Sequence, residues 1–160
     1  MTECLEVGWR RARAWLERVR AASATIEPLV REIAALTEAR DAVQPWRTSG
    51  SGVAPAHGTH SDPTATEAER RITELEMLID SKRRELAAHQ DVVGALLSAL
   101  DTMGRDLTDR HAKVIELYYV DLAPTWSYVA FEMDCDRATV WRLRSSAYAW
   151  IELHCQKFFV

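Results

Sequence analysis

The chain has 160 residues, of which 48% are hydrophobic and 28% are charged, and its formal net charge is −4. This composition is ordinary for a soluble globular protein, and no apolar run approaches the ~18 residues of a membrane span. The negative charge argues against a protein that binds DNA by overall charge, but it leaves room for a local basic surface.

The cysteines and the first residues indicate where the protein resides. Cys4, Cys135 and Cys155 are an odd number without the paired spacing of a disulfide framework or a zinc site. The first residues, which include Glu3 and Glu6, do not resemble a signal peptide. We therefore expect a protein of the reducing cytoplasm that does not bind membranes.

A first long helix is predicted over residues 5–43. Its seam residues recur at alternating steps of four and three, which is typical of a helix that supercoils on another helix. They are Leu5, Trp9, Ala12, Leu16, Val19, Ser23, Ile26, Val30 and Ile33. Pro28 interrupts the backbone hydrogen bonding, so we expect a kink or a short break near residues 24–27.

Five arginines lie in the first half of this helix: Arg10, Arg11, Arg13, Arg18 and Arg20. They are interleaved with Glu3, Glu6 and Glu17, which favours a solvated helix face. Contacts with phosphate groups are the alternative interpretation.

Residues 44–66 are rich in Pro, Gly, Ser and Thr, which predicts a long loop. His57, His60 and Asp62 lack the helix that would fix metal ligands, so we expect no metal site there. Trp46 could contact a partner or the chain itself, and the sequence does not decide between these.

A second long helix is predicted over residues 65–104, with Gly104 as its stop signal. Its seam residues are Ile72, Leu75, Ile79, Lys82, Leu86, His89, Val93, Leu96, Leu100 and Met103. Such a helix cannot bury its seam alone, so residues 1–104 are predicted to form an antiparallel, coiled-coil-like hairpin. Its expected interface residues are Trp9, Leu16, Val19, Ile33, Ile72, Ile79, Leu86 and Val93. Because Lys82 and His89 make the seam partly polar, we also expect a homodimer or a higher homo-oligomer.

The last part, residues 105–160, is predicted to be a trihelical helix-turn-helix domain, which makes the whole chain all-α. A supporting helix is expected over residues 109–119. Ala130 is the small residue where two short helices cross, Thr125 and Asp136 are N-caps, and Asp134 stands where positive φ is common. The expected core residues are Val114, Ile115, Leu117, Tyr118, Val129, Met133, Val140, Leu143, Ala147 and Ile151.

Two aromatic features border this predicted domain. Trp126 and Trp150 are expected to cover its core. The apolar tail of residues 158–160 is expected to fold onto the domain or to engage a second subunit.

The outward residues of the second short helix are candidates for DNA binding. Arg137 and Arg142 suit base contacts because arginine can bind guanine through two hydrogen bonds, and Arg144 suits phosphate. Trp141 suits apolar contact with base or sugar, while Ala138 and Ser145 share the outward face. A merely solvated helix face is the alternative.

Residues 107–151 resemble region 4, the promoter-reading end, of bacterial sigma factors. The resemblance lies in residues 111–119, 125–130 and 137–143, and it is closer to the small sigma-like regulators of temperate phages of the RinA and ArpU type. That likeness implies a sequence-specific transcriptional regulator, encoded by a phage or prophage, that binds double-stranded DNA and can contact host RNA polymerase.

Two other functions remain open. The first is a phage DNA-packaging subunit similar to a small terminase, which also joins a helix-turn-helix to oligomerising helices. The second is a module that binds protein only and engages polymerase. No motif for a nucleophile or for phosphate binding occurs, so we expect neither catalysis nor a cofactor.

Overall fold

The computed structural model describes residues 7–43 and 63–159, and these residues form helices and connecting turns without strands. These two ranges contain five α-helices, which are α1 (Arg10–Val43), α2 (Pro63–Asp106), α3 (Asp109–Tyr119), α4 (Trp126–Glu132) and α5 (Arg137–His154). Short 3-10 turns, Val7–Trp9 and Gln156–Phe158, precede α1 and follow α5. The all-α prediction and the long N-terminal helix pair are therefore confirmed. Within the described ranges, no helix is both long and apolar enough to cross a membrane.

By its internal contacts the chain divides into two compact units. One contains Met1–Ile26 and Ala88–Val160, and the other contains Glu27–Ala87. Both long helices contribute to both units. The predicted domain boundary between residues 104 and 105 stays a prediction.

Helix α1 continues through Pro28 without interruption. A proline inside a helix removes one backbone donor, but the helix on either side can still be held by its packing. The expected break is therefore wrong, and the expected kink stays a prediction.

Apolar residues from both long helices are buried in the Glu27–Ala87 unit. Leu29, Ile72 and Ile79 are buried, while Val30, predicted on the seam, is 47% exposed. Leu29 is therefore the inward residue where Val30 was predicted. In the other unit Ala12, Leu16 and Val19 of the predicted seam are buried as expected.

Lys82, at a predicted seam position in the same unit, forms ion pairs with two glutamates. Its Nζ lies 3.2 Å from a carboxylate oxygen of Glu32 and 3.5 Å from one of Glu85. The hydrogen bond to Glu32 is the main cause that raises the pKa of Lys82. A polar seam residue is thus tolerated because a partner lies on the other helix.

Both ends of α2 differ from the sequence prediction. The helix begins at Pro63, a favourable residue for a first turn, so residues 63–66 of the predicted loop are helical. At the other end Gly104 lies inside the helix, which ends at Asp106. A Cβ at Gly104 would lie 2.9 Å from Oδ1 of Asp109. The glycine therefore makes room for the close approach of α3, and it does not end the helix. Residues 44–62, with Trp46, His57, His60 and Asp62, lie outside the described residues.

One hydrophobic core joins the first half of α1 and the end of α2 to α3, α4 and α5. Of the predicted core, Val114, Ile115, Val129, Val140, Ala147 and Ile151 are buried, and Leu117, Tyr118, Met133 and Leu143 pack partly buried against them. The same cluster also contains Ala12, Trp15, Leu16, Val19, Val93, Leu96, Leu100 and Met103. The core therefore extends beyond the three helices predicted to form it.

Polar contacts also attach α1 to the C-terminal helices. Glu152 of α5 accepts hydrogen bonds from Nε of Arg11 at 2.7 Å and from the backbone N–H of Ala12 at 2.8 Å. Its carboxylate thus satisfies a free amide in the first turn of α1, as an N-cap does. Arg18 donates to the carbonyl of Phe158 at 2.9 Å, and Arg20 donates to the carbonyls of Tyr118 and Ala123.

These contacts concern the arginines of α1 and the C-terminal residues. Arg11, Arg18 and Arg20 bind within the protein, although Arg11 and Arg18 are also exposed to solvent. The solvated face and the phosphate contacts both stay predictions. The C-terminal residues fold back, because the Phe158 ring stacks on Trp15 at 5.2 Å between centroids. Phe159 meets the same Trp15 ring edge-on at 6.2 Å.

Candidate nucleic-acid interface

Helices α4 and α5 are joined by a tight turn of four residues, from Met133 to Asp136. The backbone N–H of Cys135 donates to the carbonyl of Ala130 at 3.1 Å, which closes the end of α4. Asp134 has φ 47°, as the sequence predicted for this position. A non-glycine residue in the left-handed region costs a modest strain, which aspartate tolerates better than most residues.

Both predicted N-caps are present. Oγ1 of Thr125 accepts a hydrogen bond from the backbone N–H of Tyr128 at 3.1 Å. Oδ1 of Asp136 accepts one from the backbone N–H of Thr139, and the hydrogen bonds with Thr139 lower the pKa of Asp136. These caps fix where α4 and α5 begin, and they therefore set the register of the residues that α5 presents.

The inner faces of the two helices are packed as the spacing predicted. Val129 and Ala130 of α4 are buried, and so are Val140, Ala147 and Ile151 of α5. Because α5 has 3.6 residues per turn, burial of Val140 and Ala147 directs Trp141 and Arg142 away from this core.

Four of the six candidate DNA-binding residues are exposed in the first turns of α5. Arg137, Ala138 and Arg142 are exposed, and Trp141 is 43% exposed. Nη2 of Arg142 donates to Oγ1 of Thr139 at 3.2 Å, which holds its side chain along the helix surface. These four residues form a contiguous outward surface, which we call the α5 face.

Arg144 and Ser145, the other two candidates, are only partly exposed. The Arg144 guanidinium carbon lies 4.7 Å from the centroid of the Trp126 ring and 5.7 Å from that of Tyr148. Nε of Arg144 and Oγ of Ser145 are buried without a hydrogen-bond partner. Arg144 thus packs on aromatic rings, and its predicted phosphate contact stays a prediction.

Arg144 is one end of a stack of rings and guanidinium groups that sequence reasoning missed. The Tyr118 and Trp126 rings stack at 3.9 Å between centroids, with only 12° between their planes. The guanidinium carbon of Arg20, on α1, lies over the Tyr118 ring, 4.2 Å from its centroid. Arg20 and Arg144 therefore connect α1 with α5 through α3 and α4 by cation–π contacts. Spacing along one helix cannot reveal such partners, because they lie on different helices.

A buried pair of hydroxyl groups lies beneath this stack. Tyr119 and Tyr148 are hydrogen-bonded at 2.6 Å between their oxygen atoms, and the Trp9 ring packs edge-on against Tyr148. Burial raises the pKa of both tyrosines above the ordinary value of 10.0. Both tyrosines ionise more readily in the unfolded chain, so their contribution to the free energy of unfolding is present below pH 10 and is lost as the pH rises above it.

The Cys155 thiol is part of the hydrophobic core. Cys155 is buried, and burial raises the pKa of its thiol to about 11. At neutral pH it therefore remains a protonated, apolar core group rather than a nucleophile. Among residues 7–43 and 63–159, no group of three or more His, Cys, Asp or Glu side chains could hold a metal ion.

The charges around the turn are segregated. Residues 126–136 contain three acids and no basic residue, whereas residues 137–145 contain three arginines and no acid. The sign of the charge changes at Asp136, so the α5 face is locally basic although the chain is acidic. A phosphate backbone is attracted to the second stretch and repelled by the first.

No family model, no curated protein and no solved structure matches this chain. The resemblance to phage sigma-like regulators therefore stays a prediction.

Proposed function

We propose that the protein is a sequence-specific, DNA-binding transcriptional regulator in which α4 and α5 act as a helix-turn-helix. In this proposal α3 is the supporting helix, and α5 is the recognition helix that enters the major groove. Arg137 and Arg142 read base edges, Trp141 contacts base or sugar, and Ala138 allows close approach to the groove.

One observation carries the proposal. The first turns of α5 expose Arg137, Trp141 and Arg142, while the opposite side of the same helix buries Val140 and Ala147. A recognition helix requires this division, because one side must hold it to the protein while the other side meets DNA. Its start is also fixed, by the Asp136 cap.

Replacing Arg142 with Ala should weaken DNA binding without changing the fold. A bidentate arginine–guanine contact contributes roughly 1–3 kcal/mol, so we expect a loss of about 5- to 150-fold in affinity. The probe is a duplex selected by the wild-type protein from a random-sequence pool, and the measurement is a dissociation constant at fixed salt.

Arg84 is the matched control for this experiment, since it is exposed on α2 and Arg84→Ala removes the same charge. The DNA affinity of Arg84→Ala should stay within about twofold of wild type if direct base contact dominates. Undiminished affinity in Arg142→Ala, with unchanged circular dichroism, would argue for the solvated face or for a surface that binds protein only.

The long helices have a different role in the proposal. We propose that α1 and α2 form an antiparallel hairpin that mediates homo-oligomerisation or contact with host RNA polymerase, and that the protein acts on phage or prophage genes. A dimer in light scattering at micromolar concentration is the expected result. A monomer would contradict oligomerisation, and a large ring would favour the DNA-packaging alternative.

A further inference from the structure

The outward side of α4 carries two exposed aromatic residues. Phe131 is 79% exposed, the highest value for a large apolar side chain among the described residues, and Tyr128 is 44% exposed. They are three positions apart on the helix, and their ring centroids lie 6.5 Å from each other. Together with Glu132 they form what we call the α4 face.

The α4 face is acidic as well as aromatic. Glu132 forms a side-chain hydrogen bond with Tyr128, which is the main cause that raises the pKa of this tyrosine. Asp134 and Asp136 follow in the turn, and both are exposed. The Glu132 carboxylate thus acts on Tyr128, and the faces of both aromatic rings also attract cations.

We propose that the α4 face docks a basic, amphipathic segment of a partner protein. Arginine or lysine side chains of that segment stack on Tyr128 and Phe131 and pair with Glu132, while its apolar side chains cover the Phe131 ring. The three acids and no basic residue of residues 126–136 attract a basic segment and repel a phosphate backbone or an anionic lipid surface.

A groove begins where the α4 face ends. Its volume is about 700 Å³, and it is lined by the end of α2, by α3 and by Glu132 and Met133. Leu97, Leu100 and Leu117 contribute apolar surface, and Leu97 is 43% exposed. The rest of the lining includes four acids and three basic residues: Asp101, Asp109, Glu116, Glu132, Arg105, Arg110 and Lys113. The groove can take apolar side chains of the same segment, as expected when an amphipathic helix binds across aromatic and aliphatic surface.

The inference does not depend on DNA binding and can be tested without knowing the natural partner. The probe is a synthetic amphipathic peptide of about 18 residues, with leucines on one helical face and arginines on the other. In its control every arginine is replaced by glutamate. We expect the arginine peptide to bind the full-length protein in fluorescence anisotropy, with an affinity that decreases as salt increases, and the glutamate peptide not to bind.

Phe131→Ser should weaken binding of the arginine peptide by about tenfold or more, and Glu132→Gln should weaken it by a few fold. The matched control is Leu153→Ser, which removes another apolar side chain that is 70% exposed. Because Phe131 is so exposed, its replacement should leave the circular dichroism and the DNA affinity unchanged.

Equal binding of the arginine peptide to wild type and Phe131→Ser, or equal binding of both peptides, would overturn the inference. So would a wild-type oligomer that Phe131→Ser dissociates in light scattering, because the face would then be covered by a second copy of the chain. DNA binding by Arg142→Ala tests the α5 face, whereas peptide binding by Phe131→Ser tests the α4 face. The proposals of DNA binding and of peptide docking can therefore fail independently.

Discussion

Replacing Val140 with Asp is expected to unfold the C-terminal helices. Val140 is 2% exposed and lies in the core shared by α3, α4 and α5. The substitution removes buried apolar surface and places an unpaired carboxylate where water cannot reach it. We expect a loss of roughly 4 kcal/mol or more, which is a large fraction of the stability of a domain of this size.

The measurement is thermal and urea unfolding followed by circular dichroism. Ala138→Asp is the matched control, because it introduces the same carboxylate two residues earlier, on the exposed side of α5. Near a helix N-terminus an exposed aspartate is favourable, so this control should change stability by less than about 0.5 kcal/mol. Equal stability of Val140→Asp and wild type would contradict the burial of Val140 and the assignment of the α5 face.

The parts of the fold that the sequence predicted well are those that local rules determine. Thr125 and Asp136 are recognisable caps, and their positions are confirmed by the hydrogen bonds that they accept from backbone amides. The bounds of α3 are likewise those expected, Asp109–Tyr119. Caps and helical periodicity act over three or four residues, and those distances are visible in a sequence.

The seam of α1 shows where periodicity fails. Leu29 and Val30 are adjacent and equally apolar, so the pattern alone could not decide which of them faces inward. In the first half of the helix Trp15 is buried beside Leu16 of the predicted seam, because its ring packs on Phe158 and Phe159 from the other end of the chain. A contact between residues so distant in sequence leaves no periodic signal.

Gly104 was misjudged for a related reason, and Arg144 has partners that the sequence did not reveal. Glycine near the end of a helical pattern is a common stop signal, but here it makes room for Asp109 of the next helix. Arg144 lies over the Trp126 ring, and its contact with phosphate stays a prediction. In both cases the contacting residue lies on another helix.

The candidate site was predicted only in part. Arg137, Trp141 and Arg142 are exposed together, as their spacing indicated. The reason is that Val140 is buried and thereby turns the other side of the helix outward. The aromatic residues of α4 were not foreseen as a surface. Tyr128 and Phe131 are apolar residues in a short helix, and a sequence pattern assigns such residues to a core as readily as to an exposed face.

The second large effect is expected from Trp15→Ala. Trp15 is 3% exposed and belongs to the same core as Val140 and Ile151, although it lies on α1. Removing a buried tryptophan typically costs about 3–5 kcal/mol, since apolar contacts are lost and the neighbours close the cavity only partly. Phe158 would also lose its stacking partner.

The informative measurement is native-state hydrogen exchange of the amides in α5. If α1 and the C-terminal helices unfold together, Trp15→Ala should lower the free energy of opening equally at the amides of Val140 and Ile151 in α5 and at the amide of Leu16 in α1. Met77→Ala, at a side chain that is 68% exposed, is the control and should leave this protection unchanged. Unchanged protection of α5 in Trp15→Ala would mean that residues 105–160 are stable without α1. The observed core argues otherwise, because Glu152 of α5 binds the first turn of α1 while Trp15 of α1 binds the residues that follow α5.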